Sequence, residues 1–473
     1  KTCPSFGLAA KCRAATDGKP ASLTSEEQAS PLMRAINVDS LCDTVLDSRY
    51  VLDGRSLSFS AYTDTLAEAY REDRRCPPAL SPACLTCEFQ NSSYTKATGL
   101  KSGRQECWSR LLNWSDADFE KPLAFEIGGL SATKKRILLD ERRLHLEQVT
   151  ESDIEPTADG QPGLSQSQRQ WLQVRKTVAQ ETSSYFDREG LQAEMATWQY
   201  PLHFIDFETC RAAIPFHAGN HPSTLIAFQF SHHMMQADGS VSHANEFLCT
   251  ERRVNPNAAF VAALHDAIGD TGTVLHYAPH EVSTLRAIAG QLRAQHDGQE
   301  NTDALLAFID TIAPRGDKQA SRSVVDLCKL VKRFYFAPSM GGSNSIKTVL
   351  PAILNESDFL KKKYRQPIYG AAGGISSKNF TDMAWVHEHH GAVRDPYALL
   401  PATMPADDEK NGAERVNTVL RNGGAAMQAY ADLQLCDWSP SRREATERAL
   451  LRYCELDTLA MVFIAEAWQD WCR

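Results

Sequence analysis

The stretch "HFIDFETC", residues 203–210, places two carboxylates, Asp206 and Glu208, inside a run otherwise apolar enough for a core β-strand. Side chains alternate faces along a strand, so Asp206 and Glu208 share a face with Phe204, while Ile205 and Phe207 cover the other. Two acids converging on one face repel each other unless a cation lies between them. Hard divalent ions such as Mg²⁺ or Mn²⁺ suit that position, because they prefer carboxylate oxygen. The competing reading is an amphipathic strand with a solvated acidic face.

Working outward, strand-like runs recur at "TLIAFQFSHH" (224–233) and "HANEFLCT" (243–250). Ala259, Phe260, Ala263 and Leu264 then fall at helical spacing, and "GTVLHYA" (272–278) reads as another strand. Three early strands followed by alternating helix and strand predict an α/β domain with a mixed sheet. Before it, residues 171–197 read as a helical approach. At the far end, "SPSRREATERALLRYCELDTLAMVFIAEAWQDW" (439–471) predicts one long helix, with Ser439 as N-cap, Pro440 at the first position and a Ser441/Glu444 capping-box spacing.

Further acids are placed to join the first pair. Tyr453 and Asp457 are four apart and share a face of the terminal helix. Glu281 follows a strand end and opens a helix, where it can either enter the same cleft or favour the positive end of the helix dipole. His280 beside it reads as a surface histidine that could assist. Asp326, in "SVVDLCKLV", reads as a helix N-cap or as a supporting acid.

The order of these motifs, "FIDFET" at 204–209, an acid after a later strand and "YCELDT" at 453–458, resembles the DnaQ-like exonucleases of the RNase H-like superfamily, in the version with Tyr in the third motif. The likeness spans roughly residues 200–470. The middle motif departs from it: "HYAPHE" puts His276 and Tyr277 at its start, where the family has Asn, and Glu281 where it has Asp. The resemblance implies an RNase H-like mixed sheet flanked by helices and a 3′–5′ exonuclease acting on DNA or RNA at single-stranded ends. Asp206, Glu208, Glu281 and Asp457 would hold two Mg²⁺ or Mn²⁺ ions roughly 3.5–4 Å apart, and Tyr453 would orient the attacking water. The alternative is a weakened nuclease-like module that binds nucleic acid or a protein partner, or a phosphodiesterase for small nucleotides.

A polar, Pro- and Gly-bearing stretch at 151–170 marks a domain junction. It predicts a first domain over 1–150, a linker over 151–175 and the exonuclease-like domain over 176–473. The first domain holds "CPPALSPACLTCEFQ" (76–90) and "SGRQECW" (102–108), which bring Cys76, Cys84, Cys87 and Cys107 within a loop-rich segment. Thiolates in this number suit a [4Fe–4S] cluster or Zn²⁺, or remain free. "CLTCEF" and the later "CW" resemble the cysteine cluster that ends RecB-like iron–sulfur nucleases, in which one ligand comes from far upstream; either that upstream core is absent from this chain, or Cys76 or Cys3 serves as the fourth ligand. No Asp…Glu-x-Lys set for a second nuclease core accompanies it.

The formal net charge of −9 argues against nonspecific coating of nucleic acid, and no apolar run reaches the length of a membrane span. Thirteen cysteines without a secretory signal point to reduced thiols and a cytoplasmic setting. "GGSNSIKT" (341–348) approaches a phosphate-binding loop but has Ile346 where the second Gly must stand. "HEHH" (387–390) reads as a solvated loop, "VKRFYF" (331–336) as either a packed amphipathic segment or a single-strand contact, and 401–415 as a long polar loop.

Overall fold

The computed structural model describes residues 37–76, 78–90, 99–217, 220–294, 300–316, 318–401 and 420–473. Cys3 and the polar stretch 402–415 lie outside them. The chain divides into two compact units, Lys1–Phe125 with Leu130–Val149, and Glu126–Gly129 with Thr150–Arg473.

The first unit is small and mostly helical. A hairpin, Tyr50–Leu52 with Arg55–Leu57, turns at Asp53 and Gly54, both in the left-handed region that such a two-residue turn requires. Its core gathers Trp108, Leu123, Leu139 and Leu144, with Trp114 edge-on to Trp108 at 5.1 Å and Cys84 packed alongside.

Residues 151–175, expected as a linker, belong to the second unit. Their polar composition hides a helix, α1 (Gln166–Val178), opened by a capping box between Ser165 and Gln168. Arg169 on α1 donates to the carbonyls of Val331, Lys332 and Tyr335, which ties the segment down. The helical approach expected over 171–197 is interrupted after Val178 by a two-residue strand, Tyr185–Phe186, before a second helix, Arg188–Met195, capped by Asp187.

The second unit is built on a five-stranded sheet: β1 (Leu202–Cys210), β2 (Ile226–Met235), β3 (Val241–Leu248), β4 (Thr273–His276) and β5 (Val324–Asp326). The spatial order is β3-β2-β1-β4-β5. The first three strands are antiparallel neighbours, and β4 and β5 run parallel to β1. This is a mixed α/β sheet flanked by helices.

The alternation in β1 sorts the two layers. Ile205 and Phe207 face a core shared with α2 (Asn257–Ile268), α3 (His280–Ala294) and α4 (Glu300–Ile312). Leu202 and Phe204 face α5 (Leu327–Phe334), α6 (Ile346–Glu356), α7 (Asp358–Tyr364), α8 (Gly423–Leu435) and α9 (Pro440–Trp471). Full burial of a side chain such as Phe204 contributes roughly 1.5–3 kcal/mol.

Helix α9 has 32 residues, about 48 Å at 1.5 Å per residue. Ser439 caps it by accepting from the Arg442 amide, and Pro440 takes the first position. The Ser441/Glu444 spacing forms no capping box, because Ser441 already lies inside the helix and its hydroxyl meets that of Ser439. From Tyr453 to Trp468 every residue of α9 is buried, so its acids must be answered. Glu466, for instance, accepts from Lys363 Nζ at 2.6 Å and Tyr364 at 2.9 Å. No helix among the described residues is long and apolar enough to cross a membrane.

Candidate metal centre

Asp206 and Glu208 lie on the face of β1 that meets α9, and α9 brings Asp457 opposite them. Ligand oxygens of Asp206, Glu208 and Asp457 all fall within 4.8 Å of one another. Together with Glu281, Tyr453, Tyr277, His280 and Lys347 they line an open cleft of about 470 Å³. Residues from β1, α3, α6, the start of α8 and α9 thus meet at one place.

Burial and mutual repulsion perturb the acids as a group. Burial first, then the charges of Asp457, Glu281 and Glu208, raise the Asp206 carboxyl well above its usual range. Glu208 is pushed up to about 8, by burial and then Asp457, with Lys347 pulling the other way. Asp457 rises to about 6, again chiefly through burial, restrained by Lys347 and by the hydroxyls of Tyr397 and Tyr453. A carboxylate cluster held this far from its ordinary ionisation is one that a cation would return to the charged form.

Glu281 is buried in the first turn of α3 and lines the cleft, but it stands outside the group of three whose oxygens converge. Its Oε2 lies 3.4 Å from His276 Nδ1 without hydrogen-bond geometry, and that nitrogen donates instead to the Ala278 carbonyl at 2.6 Å. Burial lowers His276, yet its close approach to the Glu281 carboxylate, with Asp326 and the Ala278 carbonyl, outweighs it and leaves the imidazole raised. His280 reaches the cleft rim, with Nε2 3.5 Å from Thr209 Oγ1.

Three neighbours of the acids carried no signal in the motif reading. Lys347 Nζ donates to the Tyr453 hydroxyl at 2.8 Å and to the Arg421 carbonyl, and sits 4.7 Å from the ring centroids of both Tyr397 and Tyr453. Tyr397 donates its hydroxyl to Asp457 Oδ1. The Cys454 thiol lies 3.5 Å from Asp206 Oδ2. Lys347 belongs to "GGSNSIKT", whose apparent phosphate loop is in fact the approach to α6, with Ser345 at the N-cap position. Lys347 is the second residue of α6, and only the packing of that helix aims it at the acids.

The remaining candidates fall elsewhere. Asp326 is the N-cap of α5, accepting from the Lys329 amide, and it also accepts from Ala278 N at 3.0 Å. In "VKRFYF" the aromatics Phe334, Tyr335 and Phe336 are buried, so they pack rather than offer a stacking surface, and Arg333 pairs with Asp159 at 3.0 Å. His387, His389 and His390 are exposed. In the first unit, burial and then Cys87 and Cys84 raise the Cys107 thiol, which places these three within electrostatic reach. Cys76 is not among those influences, and among the described residues no cysteine joins a set of three ligand atoms within 4.8 Å.

A family model described as a domain of unknown function (DUF2779) matches residues 203–345. That span begins in β1 and ends at the cap of α6, so it takes in Asp206, Glu208 and Glu281 but neither Lys347 nor the acids of α9. Comparison with curated proteins and with solved structures returned no match.

Proposed function

We propose that this chain is a divalent-metal-dependent 3′–5′ exonuclease that hydrolyses phosphodiester bonds of DNA or RNA at single-stranded ends, on an RNase H-like fold of the DnaQ kind. The observation that carries the reading is the convergence of Asp206, Glu208 and Asp457 from a central strand and a terminal helix about 250 residues apart in sequence, with ligand oxygens within 4.8 Å. Three antiparallel strands followed by two parallel ones, in the order β3-β2-β1-β4-β5, support the fold assignment.

The donor set fits Mg²⁺ or Mn²⁺: all-oxygen, anionic and buried on one side while open on the other. Asp206, Glu208 and Asp457 would hold the ions, with Glu281 nearest to completing the set. When bound, such ions supply Lewis acidity at the phosphoryl oxygen and lower the pKa of a bound water. Fully ionised, the four carboxylates against the Lys347 ammonium carry a formal charge of −3, which would repel a phosphodiester and which two bound dications would offset. Tyr453 accepts from Lys347, which directs its own proton toward Asp457 and leaves its second lone pair for a water.

The test is incubation of the full chain with 5′-labelled single-stranded DNA and RNA, in Mn²⁺, Mg²⁺ or EDTA. Metal-dependent shortening from the 3′ end, lost in Asp206→Asn and Asp457→Asn, is the expected result. No shortening of either polymer in Mn²⁺ would sink the proposal. A specific observation favours one second reading, a module that binds without cutting: Glu281 lies outside the converging oxygens. A mobility shift of the same strands without degradation would select it.

For the first unit the reading is a RecB-like cysteine module, supported by the mutual influence of Cys84, Cys87 and Cys107. These three thiols fit an iron–sulfur cluster or zinc in part, with Cys76 as the candidate fourth. Iron, sulfide and zinc content after anaerobic purification distinguishes the two, and content below one equivalent of each leaves free thiols.

A further inference from the structure

A second group of ligand atoms lies on the opposite side of α9. Residues two apart on a helix point about 200° from one another, so Glu455 faces away from Asp457. There it meets His243 and Glu246 of β3, with ligand atoms again within 4.8 Å. The segment after α7 closes over them. His243 N donates to the Ser376 carbonyl at 2.9 Å, and Asn379 Nδ2 donates to Glu246 Oε2 at 2.6 Å and to Glu455 Oε2 at 2.8 Å.

The hydrogen atoms of this network can be assigned one by one. A Glu455 carboxylate only accepts, so Tyr369 must donate to its Oε1, at 2.5 Å. The Tyr369 oxygen then accepts from His233 Nε2 at 2.9 Å, so Nε2 carries the proton. His233 is buried, which favours the neutral imidazole, and its Nδ1 is a lone pair that must accept from Thr458 at 2.7 Å. The Thr458 oxygen then accepts from Ser231 at 2.7 Å, and Ser231 in turn accepts from His243 Nε2 at 3.1 Å. The chain of donors ends at His243, whose Nε2 carries the proton; burial favours the neutral imidazole, in which Nδ1 is then a lone pair. That atom is buried, has no hydrogen-bond partner among the described residues, and lies 3.3 Å from Glu455 Oε2. A lone pair facing two carboxylates is repulsive unless a proton or a metal cation stands among them.

We propose that His243 Nδ1, Glu246 and Glu455 form a structural site for one first-row transition dication, Zn²⁺ or Mn²⁺, separate from the acidic cleft. The imidazole nitrogen selects such ions over Mg²⁺ and Ca²⁺, which favour all-oxygen sets. Asn379 offers a fourth ligand, since turning its amide over replaces the donor facing both acids by an oxygen. The bound ion fastens β3 and the 369–380 segment to the helix that carries Tyr453 and Asp457. The proposal does not depend on the nuclease reading.

The experiment uses the full chain carrying Asp206→Asn and Asp457→Asn, which disable the cleft, stripped with EDTA and titrated with Mn²⁺ or Zn²⁺ alone. One retained equivalent is expected, with a ¹⁴N imidazole signature in the pulsed EPR of the Mn²⁺ form. His243→Ala should abolish that signature. Glu246→Gln leaves an oxygen to accept from Asn379, so it should keep the fold while weakening binding at least tenfold, with thermal unfolding in EDTA as the folding check. Absence of the nitrogen signature in the cleft-disabled protein, or binding unchanged by Glu246→Gln, overturns the site and leaves an imidazolium–carboxylate clamp in its place.

Discussion

Asp457→Asn should make the metal-free protein more stable at pH 8, although it removes a buried group with three partners. Asp457 is the first charge, after burial, that raises both Asp206 and Glu208. Two like charges no more than 4.8 Å apart repel by roughly 3 kcal/mol or more at an effective dielectric of about 20. Against this the variant forfeits the attraction of Lys347 and weakens one tyrosine hydrogen bond, about 1 kcal/mol between them. The net gain is on the order of 1–2 kcal/mol. The sign with pH follows from proton binding: a carboxyl raised from 4.5 to about 8 keeps its proton in the native state while the unfolded chain has lost it. Stability therefore falls as pH rises through that window. The buried histidines that are held low, such as His203 and His232, slope the other way, but only below about 6.5, where the unfolded imidazoles begin to protonate, whereas the raised His276 slopes with the carboxyls and is common to both proteins. The difference between the two proteins in urea unfolding in EDTA between pH 7 and 8.5 therefore reads the carboxyl contribution, and wild type should lose stability across it faster than Asp457→Asn. Adding Mg²⁺, which suits imidazole poorly, should reverse the order: wild type gains about 2.7 kcal/mol at a free ion concentration of 100 times Kd, and the variant gains far less. A metal-free variant less stable than wild type at pH 8, or one that gains equally from Mg²⁺, refutes the reasoning.

Lys347→Met should lower kcat roughly tenfold to a hundredfold with little change in KM, by releasing the Tyr453 hydroxyl from its set position. Because Lys347 and Tyr453 act through one contact, the double variant with Tyr453→Phe should lose no more than the worse single one in steady-state kinetics; additive losses would separate them. On the acid side, burial holds His203 down at about 4 and His232 at about 3, so the native protein should lose stability progressively as pH falls from 6.5 toward 4. His203→Gln should flatten that loss in urea unfolding at pH 5 to 7. Phe204→Ala, at a fully buried position in the layer under α9, should cost about 3–5 kcal/mol by the same measurement.

The sheet was legible because period-2 alternation in β1 is a direct readout of two-sided burial: Phe204 with the acids toward α9, Ile205 and Phe207 toward α2 and α3. The acids on β1 and α9 were legible because each follows from a spacing along one element. Lys347 and Tyr397 were not, since what brings them to Asp457 is the packing of α6 and of the 396–399 turn onto α9, contacts that leave no periodic trace in either segment. The stretch 151–175 misled for a related reason. Its polarity reflects side chains that bond to backbone, as Arg169 does, and composition cannot tell such a bonded polar group from a solvated one.

Glu281 stands outside the converging oxygens of the cleft, and the turn before it supplies a physical cause. Strand β4 ends at His276, and two residues later Ala278 adopts φ +67°, a left-handed conformation that a non-glycine residue holds only when its surroundings impose it. Here they do: its N–H donates to Asp326 and its carbonyl accepts from His276. His276, and the Asp326 that sequence alone could offer as a ligand, are both engaged in fixing this turn. The turn then starts α3 at His280 and sets Glu281 in its first turn, buried and facing the cleft wall. An Asp there would have one methylene less with which to approach oxygens that Glu281 itself does not reach within 4.8 Å. The longer acid is thus what a tightly held turn leaves as the compatible choice, with His276 fixing the turn and Glu281 reaching toward the cleft from it.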